Sequence, residues 1–229
     1  MQNRFDGKPV AATADPTFSS GSRAKVCDGT GGRRLLSFSK KLIAVMNKLR
    51  TKSLQARREM NADARAIASQ IICDRLTQSR DFISASLIAC YLPMRYEVDT
   101  RSIIERGWRA NKRIFVPITS NNGEMFFREI RPDTTLHRNQ MAIWEPESGD
   151  IISPRALQLV VTPTVAFDSS RHRIGMGGGY YDRCFSHLRH RRKWMKPKLT
   201  GVAFKCQEVE EITPNTWDIR LYRIIDESD

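Results

Sequence analysis

Three short apolar runs, each stopped by a proline, do most to limit what this chain can fold into. Segments 86–92, 114–116 and 157–161 carry apolar residues at consecutive positions rather than alternate ones, and Pro93, Pro117 and Pro163 follow them. Consecutive apolar positions suit strands buried on both faces. A partly alternating run at 125–130 and two late runs at 199–204 and 222–225 add further strands. Helical patterns lie between and before them. Leu42, Val45, Met46 and Leu49 stand at i, i+3, i+4 and i+7, the spacing of one buried face. Lys48, Arg50, Arg57 and Arg58 fall largely off that stripe. A second helix is expected after Asn61, a good N-cap, carrying Ile67, Ile71, Ile72 and Leu76, and a third through Ile103, Ile104 and Trp108. Strands alternating with helices of roughly ten residues or more predict a three-layer α/β domain, its mostly parallel sheet covered by helices on both faces. Ligands in such folds bind beyond the carboxyl ends of the strands.

The chain has 229 residues, which suits a single domain. Residues 1–39 are rich in Gly, Ser, Thr and Ala and lack periodicity, so they read as a disordered tail or extension before an ordered domain over 40–229. They hold no secretory apolar core, and Asp6, Asp15 and Asp28 count against a transit peptide. No apolar run approaches the roughly 20 residues of a membrane-spanning helix. Five cysteines, odd in number and without C-x-x-C spacing, point to reduced thiols in a cytoplasmic protein and argue against a zinc site. A monomer is expected. The net charge of +13 favours an anionic partner: nucleic acid, nucleotide or polyanionic metabolite. Much of the excess sits in the run 189–198, read either as a solvated loop or as a nucleic-acid contact.

One loop stands apart chemically. Gly175, Gly177, Gly178 and Gly179 leave a backbone with little side-chain cover, able to reach positive φ and to bring its N–H groups close to an anion. Tyr180, Tyr181, Asp182 and Arg183 follow as the expected first turn of a helix. This reads as a phosphate cradle with an acid beside it, against the plainer alternative of a Gly-rich surface loop. Two familiar phosphate motifs are excluded. More than ten residues separate Val161 from Gly175, too many for a dinucleotide fingerprint, and no Lys-Ser or Lys-Thr follows the glycines as a Walker loop requires. The four histidines lack ligand spacing, and no Gly-x-Ser-x-Gly elbow exists. Magnesium takes one or two carboxylates plus substrate phosphates. Asp182 is placed to be one such carboxylate and Asp218 another if the last strand returns beside the loop; a helix-start residue and a turn residue are the alternatives.

The stretch 173–183 (RIGMGGGYYDR) closely resembles the signature of the 5-formyltetrahydrofolate cyclo-ligases, also called methenyltetrahydrofolate synthetases. Residues 91–100 (YLPMRYEVDT) resemble that family's folate-binding segment. Glu145-Pro146, 162–168 and Trp217-Asp218-Ile219 occur in the family's order, so the resemblance runs from about Lys40 to near the C-terminus. It implies an enzyme that uses ATP and Mg2+ to close 5-formyltetrahydrofolate into 5,10-methenyltetrahydrofolate, releasing ADP and phosphate. Arg173, Tyr181 and Arg183 would serve catalysis. The ATP site would comprise Lys48, Arg50, Arg173, Ile174, Gly175, Met176, Gly177, Gly178, Gly179, Tyr180 and Tyr181. Leu92 and Glu97 would contact the folate, Glu97 at the amino-pyrimidine edge of the pterin, with Met176, Gly177, Gly178, Gly179 and Tyr180 bordering it. Asp182 and Asp218 resemble the metal ligands.

The sequence departs from the family at Met46, where a lysine is usual and for which Lys48 is the expected substitute. It departs also at Gly178, where some members carry lysine, and at Tyr222, where an acid is frequent. Without that lysine, phosphate charge would fall on Arg173, Arg183 and the helix start. The reading from a different class is a nucleic-acid-binding protein that uses 189–198 on a cyclo-ligase-like scaffold.

Overall fold

A computed structural model describes residues 32–120, 122–139, 143–189 and 196–228, with side chains from Leu42 onward. In chain order the elements are α1 (Gly32–Glu59), α2 (Ala62–Gln78), α3 (Arg80–Ser84), β1 (Leu87–Ala89), α4 (Arg101–Arg109), β2 (Arg113–Thr119), β3 (Met125–Ile130), β4 (Leu136–Arg138), β5 (Trp144–Pro146), β6 (Ile151–Ile152), β7 (Leu159–Pro163), β8 (Ala166–Phe167), β9 (Arg173–Ile174), α5 (Tyr180–Cys184), β10 (Lys198–Val202) and β11 (Arg223–Ile225). The unit that carries the sheet spans Ser39–Asp229. Of the unit before it, only the backbone of residues 32–38 is described, and it is helical. Helix α1 therefore starts ahead of the expected boundary at Lys40; the rest of the expected tail, 1–31, lies outside the described residues.

The main sheet has the order β11-β10-β7-β1-β2-β3-β6. Pairing is parallel from β11 through β2, while β3 runs antiparallel to β2 and β6 antiparallel to β3. Consecutive apolar residues become two cores because side chains alternate across a strand. Ile88, Ile114, Val116, Leu159 and Val161 face α2, α3 and α4 through Ile72, Cys73, Leu76, Phe82, Ile103 and Ile104. Their neighbours Ala89, Phe115 and Val160 face the other way, with Phe127, Phe185, Leu188, Leu199 and Leu221. The sheet is thus covered on both faces as the apolar runs predict, but the second face is covered by the single turn of α5 and a 3-10 turn rather than by long helices.

Chain order places β2 on one side of β1 and β7 on the other. The loops leaving β1 and β7 diverge at this switch in strand order, which opens the crevice where α/β folds bind ligands. Segment 90–100 leaves β1 there, and β7 leads through β8 and β9 to the glycine loop.

Helix α2 begins as expected: Asn61 accepts the Asp63 N–H at 2.8 Å. Two apolar expectations are corrected. Val45 is 55% and Ile67 63% exposed. On α1 the covered face continues through Met46, Leu49, Ser53 and Arg57, and Val45 lies to its side. On α2 the face centres on Ala68, Ser69, Ile72 and Leu76, and Ile67 lies about 100° around the helix from Ala68. Arg57, expected off the stripe, is buried on it, at 7% exposure. Cys73, Cys90, Cys184 and Cys206 are free thiols. No helix among the described residues is long and apolar enough to cross a membrane.

Candidate active site

The glycine loop joins strand β9 to helix α5. Ile174 is buried in the β8–β9 hairpin, its carbonyl accepting the Val165 N–H at 2.9 Å, so the loop starts from a fixed point. Gly177 and Gly179 adopt φ of +106° and +62°, conformations that residues with a Cβ rarely reach. Gly178 has ordinary φ but no space: a Cβ there would stand 2.6 Å from the Tyr180 ring. Met176 is exposed at the tip. Helix α5 is a single turn without a side-chain cap, so its dipole adds little to the cradle.

Both arginines of the loop are committed to holding it. Arg173, its side chain 6% exposed, donates from Nη1 to the Ile219 carbonyl and from Nη2 to Asp182 Oδ1, each at 3.0 Å. Its guanidinium lies 5.8 Å from the centre of the Tyr181 ring. Arg183 donates to the Gly178 carbonyl at 2.7 Å and to the Gly123 carbonyl at 3.4 Å, and covers the Tyr180 ring. Asp182 Oδ1 also accepts the Ile219 N–H at 3.0 Å, while its Oδ2 makes no hydrogen bond among the described residues. Asp218 uses Oδ2 for the backbone and side-chain amides of Asn215 and likewise leaves Oδ1 without one. The backbone of Ile219, next to Asp218, therefore lies against the glycine loop. Among the described residues no group of three or more His, Cys, Asp and Glu side chains is gathered as a metal cage.

Helix α1 supplies the fourth wall. Arg50 donates from Nε to the Gly175 carbonyl at 2.8 Å, and its guanidinium lies about the Gly177 position. Met46 packs with Leu49 on Ala166, Ile174 and Ile212 and receives the Asn215 side-chain amide on its sulfur. Lys48 is not brought to the loop. It lies about 200° around the helix from Met46 and from Arg50, exposed and without an ion pair or hydrogen bond among the described residues.

Seven residues beyond Arg50, on the same face, Arg57 meets the acid expected from segment 91–100. Arg57 Nη1 stands 3.8 Å from Glu97 Oε1, with side-chain exposures of 8% and 9%. Glu97 Oε2 accepts the Met94 N–H at 3.0 Å. Burial raises the Glu97 pKa, and the Met94 bond and Arg57 pull it back only in part. Leu92 packs half-buried against the core on the α2 side of the sheet. Tyr91, hydrogen-bonded to the Val98 carbonyl, lies within electrostatic reach of both Glu97 and Tyr181. Burial raises the Tyr181 hydroxyl far above the ordinary tyrosine range, although part of that residue stays accessible, so it remains protonated at neutral pH. Segment 91–100 and the glycine loop thus meet at Glu97, Tyr91 and Tyr181.

Asp168, which the strand pattern also directs to this end, is turned away from the crevice. It accepts the backbone N–H groups of His172 and Ile212 and faces the His172 ring at 3.0 Å, an anchor for the hairpin. Glu145 likewise caps the Thr119 N–H at 3.2 Å. Within the basic run, residues 190–195 lie outside the described residues, and Lys198 is turned onto Asp81 and the Tyr222 ring. Arg57 is the residue that sequence reasoning missed. Its signal was the seven-residue interval from Arg50, which repeats a helix face.

Fold and site define a parallel α/β protein in which a braced glycine loop and a buried carboxylate converge at a switch in strand order. The match at the level of family is direct: the chain belongs to the 5-formyltetrahydrofolate cyclo-ligase family, whose model spans residues 43–227. It is 32% identical over 175 residues to the 5-formyltetrahydrofolate cyclo-ligase of Escherichia coli, covering 75% of this chain and 94% of that protein. The Haemophilus influenzae enzyme of the same name is 30% identical, over 77% of this chain and 95% of its own. Among solved structures, the 5,10-methenyltetrahydrofolate synthetase of Aquifex aeolicus is similar with a TM-score of 0.70 and 26% identity, across 81% of this chain and 91% of that one.

Proposed function

We propose that this protein is an ATP-dependent ligase that closes 5-formyltetrahydrofolate to 5,10-methenyltetrahydrofolate, with the glycine loop holding the nucleotide and Glu97 the folate. The observation that carries the division of labour is that one face of α1 reaches both: Arg50 at Gly175 and Arg57 at Glu97. A rise of 1.5 Å per residue separates these two arginines by about 10 Å along the helix. The relatives bearing the cyclo-ligase name support the reaction itself.

The formyl oxygen attacks the γ-phosphorus of ATP and ADP leaves. N10 then attacks the activated carbon, forming the second C–N bond as phosphate departs and N10 releases its proton to solvent. No group of the protein has to become covalently attached, so the protein contributes positioning and charge. Gly177 and Gly179 give phosphate oxygens access to backbone N–H groups, and Arg50 places positive charge beside Gly177. Arg173 and Arg183 act by fixing the loop, since their donors are used on Asp182 and on carbonyls. Tyr181 contributes a protonated hydroxyl and ring against Arg173. Glu97 would accept the two adjacent N–H groups of the amino-pyrimidine edge, a charge-assisted bidentate contact.

Magnesium fits the residues present as a site completed by substrate: Asp182 and Asp218 each keep one carboxylate oxygen without a hydrogen bond among the described residues. When bound there it would neutralise phosphate charge. Mixing the protein with 5-formyltetrahydrofolate and ATP, with and without Mg2+, tests the proposal. Appearance of methenyl near-ultraviolet absorbance with one ADP per product is expected. Folded protein that yields neither the absorbance nor ADP refutes it.

A further inference from the structure

We propose that Arg57 is a positioning residue for folate recognition: set back 3.8 Å from Glu97 Oε1, it faces that carboxylate with its positive charge while leaving Oε1 open to the substrate. The proposal rests on the assignment of Glu97 to the folate and deepens it.

Stability does not account for this pair. Replacing a buried ion pair by well-packed apolar side chains is often neutral or stabilising. Here Arg57 is 7% exposed, yet its Nε has no acceptor among the described residues. Its separation of 3.8 Å from Glu97 Oε1 is too long for a hydrogen bond. The carboxylate therefore receives the charge of Arg57 without spending its lone pairs on it. Oε2 takes one N–H, from Met94, and Oε1 takes none among the described residues. A buried carboxylate with open acceptor positions, faced by a cation that does not fill them, suits a ligand that brings two N–H donors side by side.

The groups around the pair leave its titration legible. Arg58, Tyr91 and Cys206 lie near Arg57, and Tyr91 and Tyr181 near Glu97. Arg58 is exposed to solvent. Burial raises both tyrosines and Cys206, so none of them changes charge on the acid side of neutrality. Glu97 is the member of this set that does. Removing Arg57 takes away a cation that lowers the Glu97 pKa, so the acid limit of folate binding must move to higher pH.

The test is steady-state kinetics of the full chain at saturating ATP. Arg57→Met is expected to raise the KM for 5-formyltetrahydrofolate about tenfold, leave the KM for ATP unchanged, and shift the acid limb of kcat/KM for folate upward by about one pH unit. Arg57→Lys keeps the charge, so the limb should stay in place while KM rises a few-fold. In a Glu97→Gln background neither substitution should raise the folate KM further. A purely packing role would lower thermal stability without moving the limb and would add in the double variant; that result overturns the proposal. If Arg57→Met does not fold, Arg57→Lys decides, because an equal KM effect with and without Glu97→Gln also overturns it. Should Glu97→Gln alone leave the folate KM unchanged, the assignment of Glu97 fails and the role of Arg57 falls with it. Failure of Arg57 alone leaves the Glu97 assignment intact.

Discussion

Gly178 and Gly179 meet different restrictions within the same loop. Gly179 is held at φ +62°, and an added Cβ would also stand 3.0 Å from Arg183 Nη1. Gly179→Ala should cost about 1 kcal/mol of stability through backbone strain and lower turnover more than the stability loss explains, since Arg183 ties the loop to Gly123. Chemical denaturation and kcat measured on the same preparation separate the two effects. Asp182 has two tasks at different oxygens, bracing Arg173 and Ile219 with Oδ1 and offering Oδ2. Asp182→Asn keeps an acceptor for the brace and removes the charge. We expect kcat to fall about a hundredfold with the folate KM little changed; unchanged turnover at limiting Mg2+ would refute the role. Gly178 stands where some members of the family carry lysine. A lysine at this position would have to displace the Tyr180 ring, so the positive charge beside the loop comes instead from Arg50 on α1.

At the scale of elements, α1 acts as a strap rather than a covering helix. Its contact with the hairpin β8–β9 is small and apolar, through Met46 and Leu49, and its polar reach is Arg50 to the loop and Arg57 to Glu97. Arg50→Ala removes one long-range hydrogen bond and a charge at the loop. It should raise the ATP KM about tenfold and leave the folate KM within a factor of two or so. Titration with a non-hydrolysable nucleotide would check this apart from turnover. The hairpin itself is anchored by Asp168, which is 2% exposed. Burial pushes its pKa up, but the hydrogen bonds from His172 and Ile212 outweigh that and leave it lowered. A depressed folded-state pKa contributes stability that is present above the unfolded value, about 3.9 for Asp, and is lost as pH falls toward the folded value. Asp168→Asn should therefore cost about 2 kcal/mol at neutral pH and progressively less below about pH 4, as read from urea unfolding at each pH.

Over the whole molecule, two cores hold the sheet and leave the crevice free of structural burden. Phe115 is fully buried on the face shared with Phe127 and Phe185, away from Glu97. Phe115→Ala should cost about 3–5 kcal/mol, with KM values of the remaining folded fraction unchanged. Differential scanning calorimetry alongside kinetics would show whether stability and binding separate in this way. The charge of +13 raised the prospect of nucleic acid, but the chain belongs to the cyclo-ligase family, and Arg50 and Arg57 are turned to the Gly175 carbonyl and to Glu97.

By itself the sequence determined the sheet and the two segments that meet at the crevice. Apolar runs closed by prolines, glycines clustered before Tyr180, and Glu97 beyond β1 are local patterns, and local pattern is what strand burial and turn geometry depend on. Only the tertiary structure decided which partners those residues take. Arg173 reads as a phosphate contact but turns inward to Asp182; Lys48 reads as a substitute for a missing lysine but sits across the helix from Met46. Arg57 reads as one more surface cation and is buried against Glu97. The partners differ widely in separation: Asp182 stands 9 positions from Arg173, whereas the Gly175 carbonyl that Arg50 bonds is 125 positions away. Pairings of that range follow from packing, not from the order of neighbouring residues.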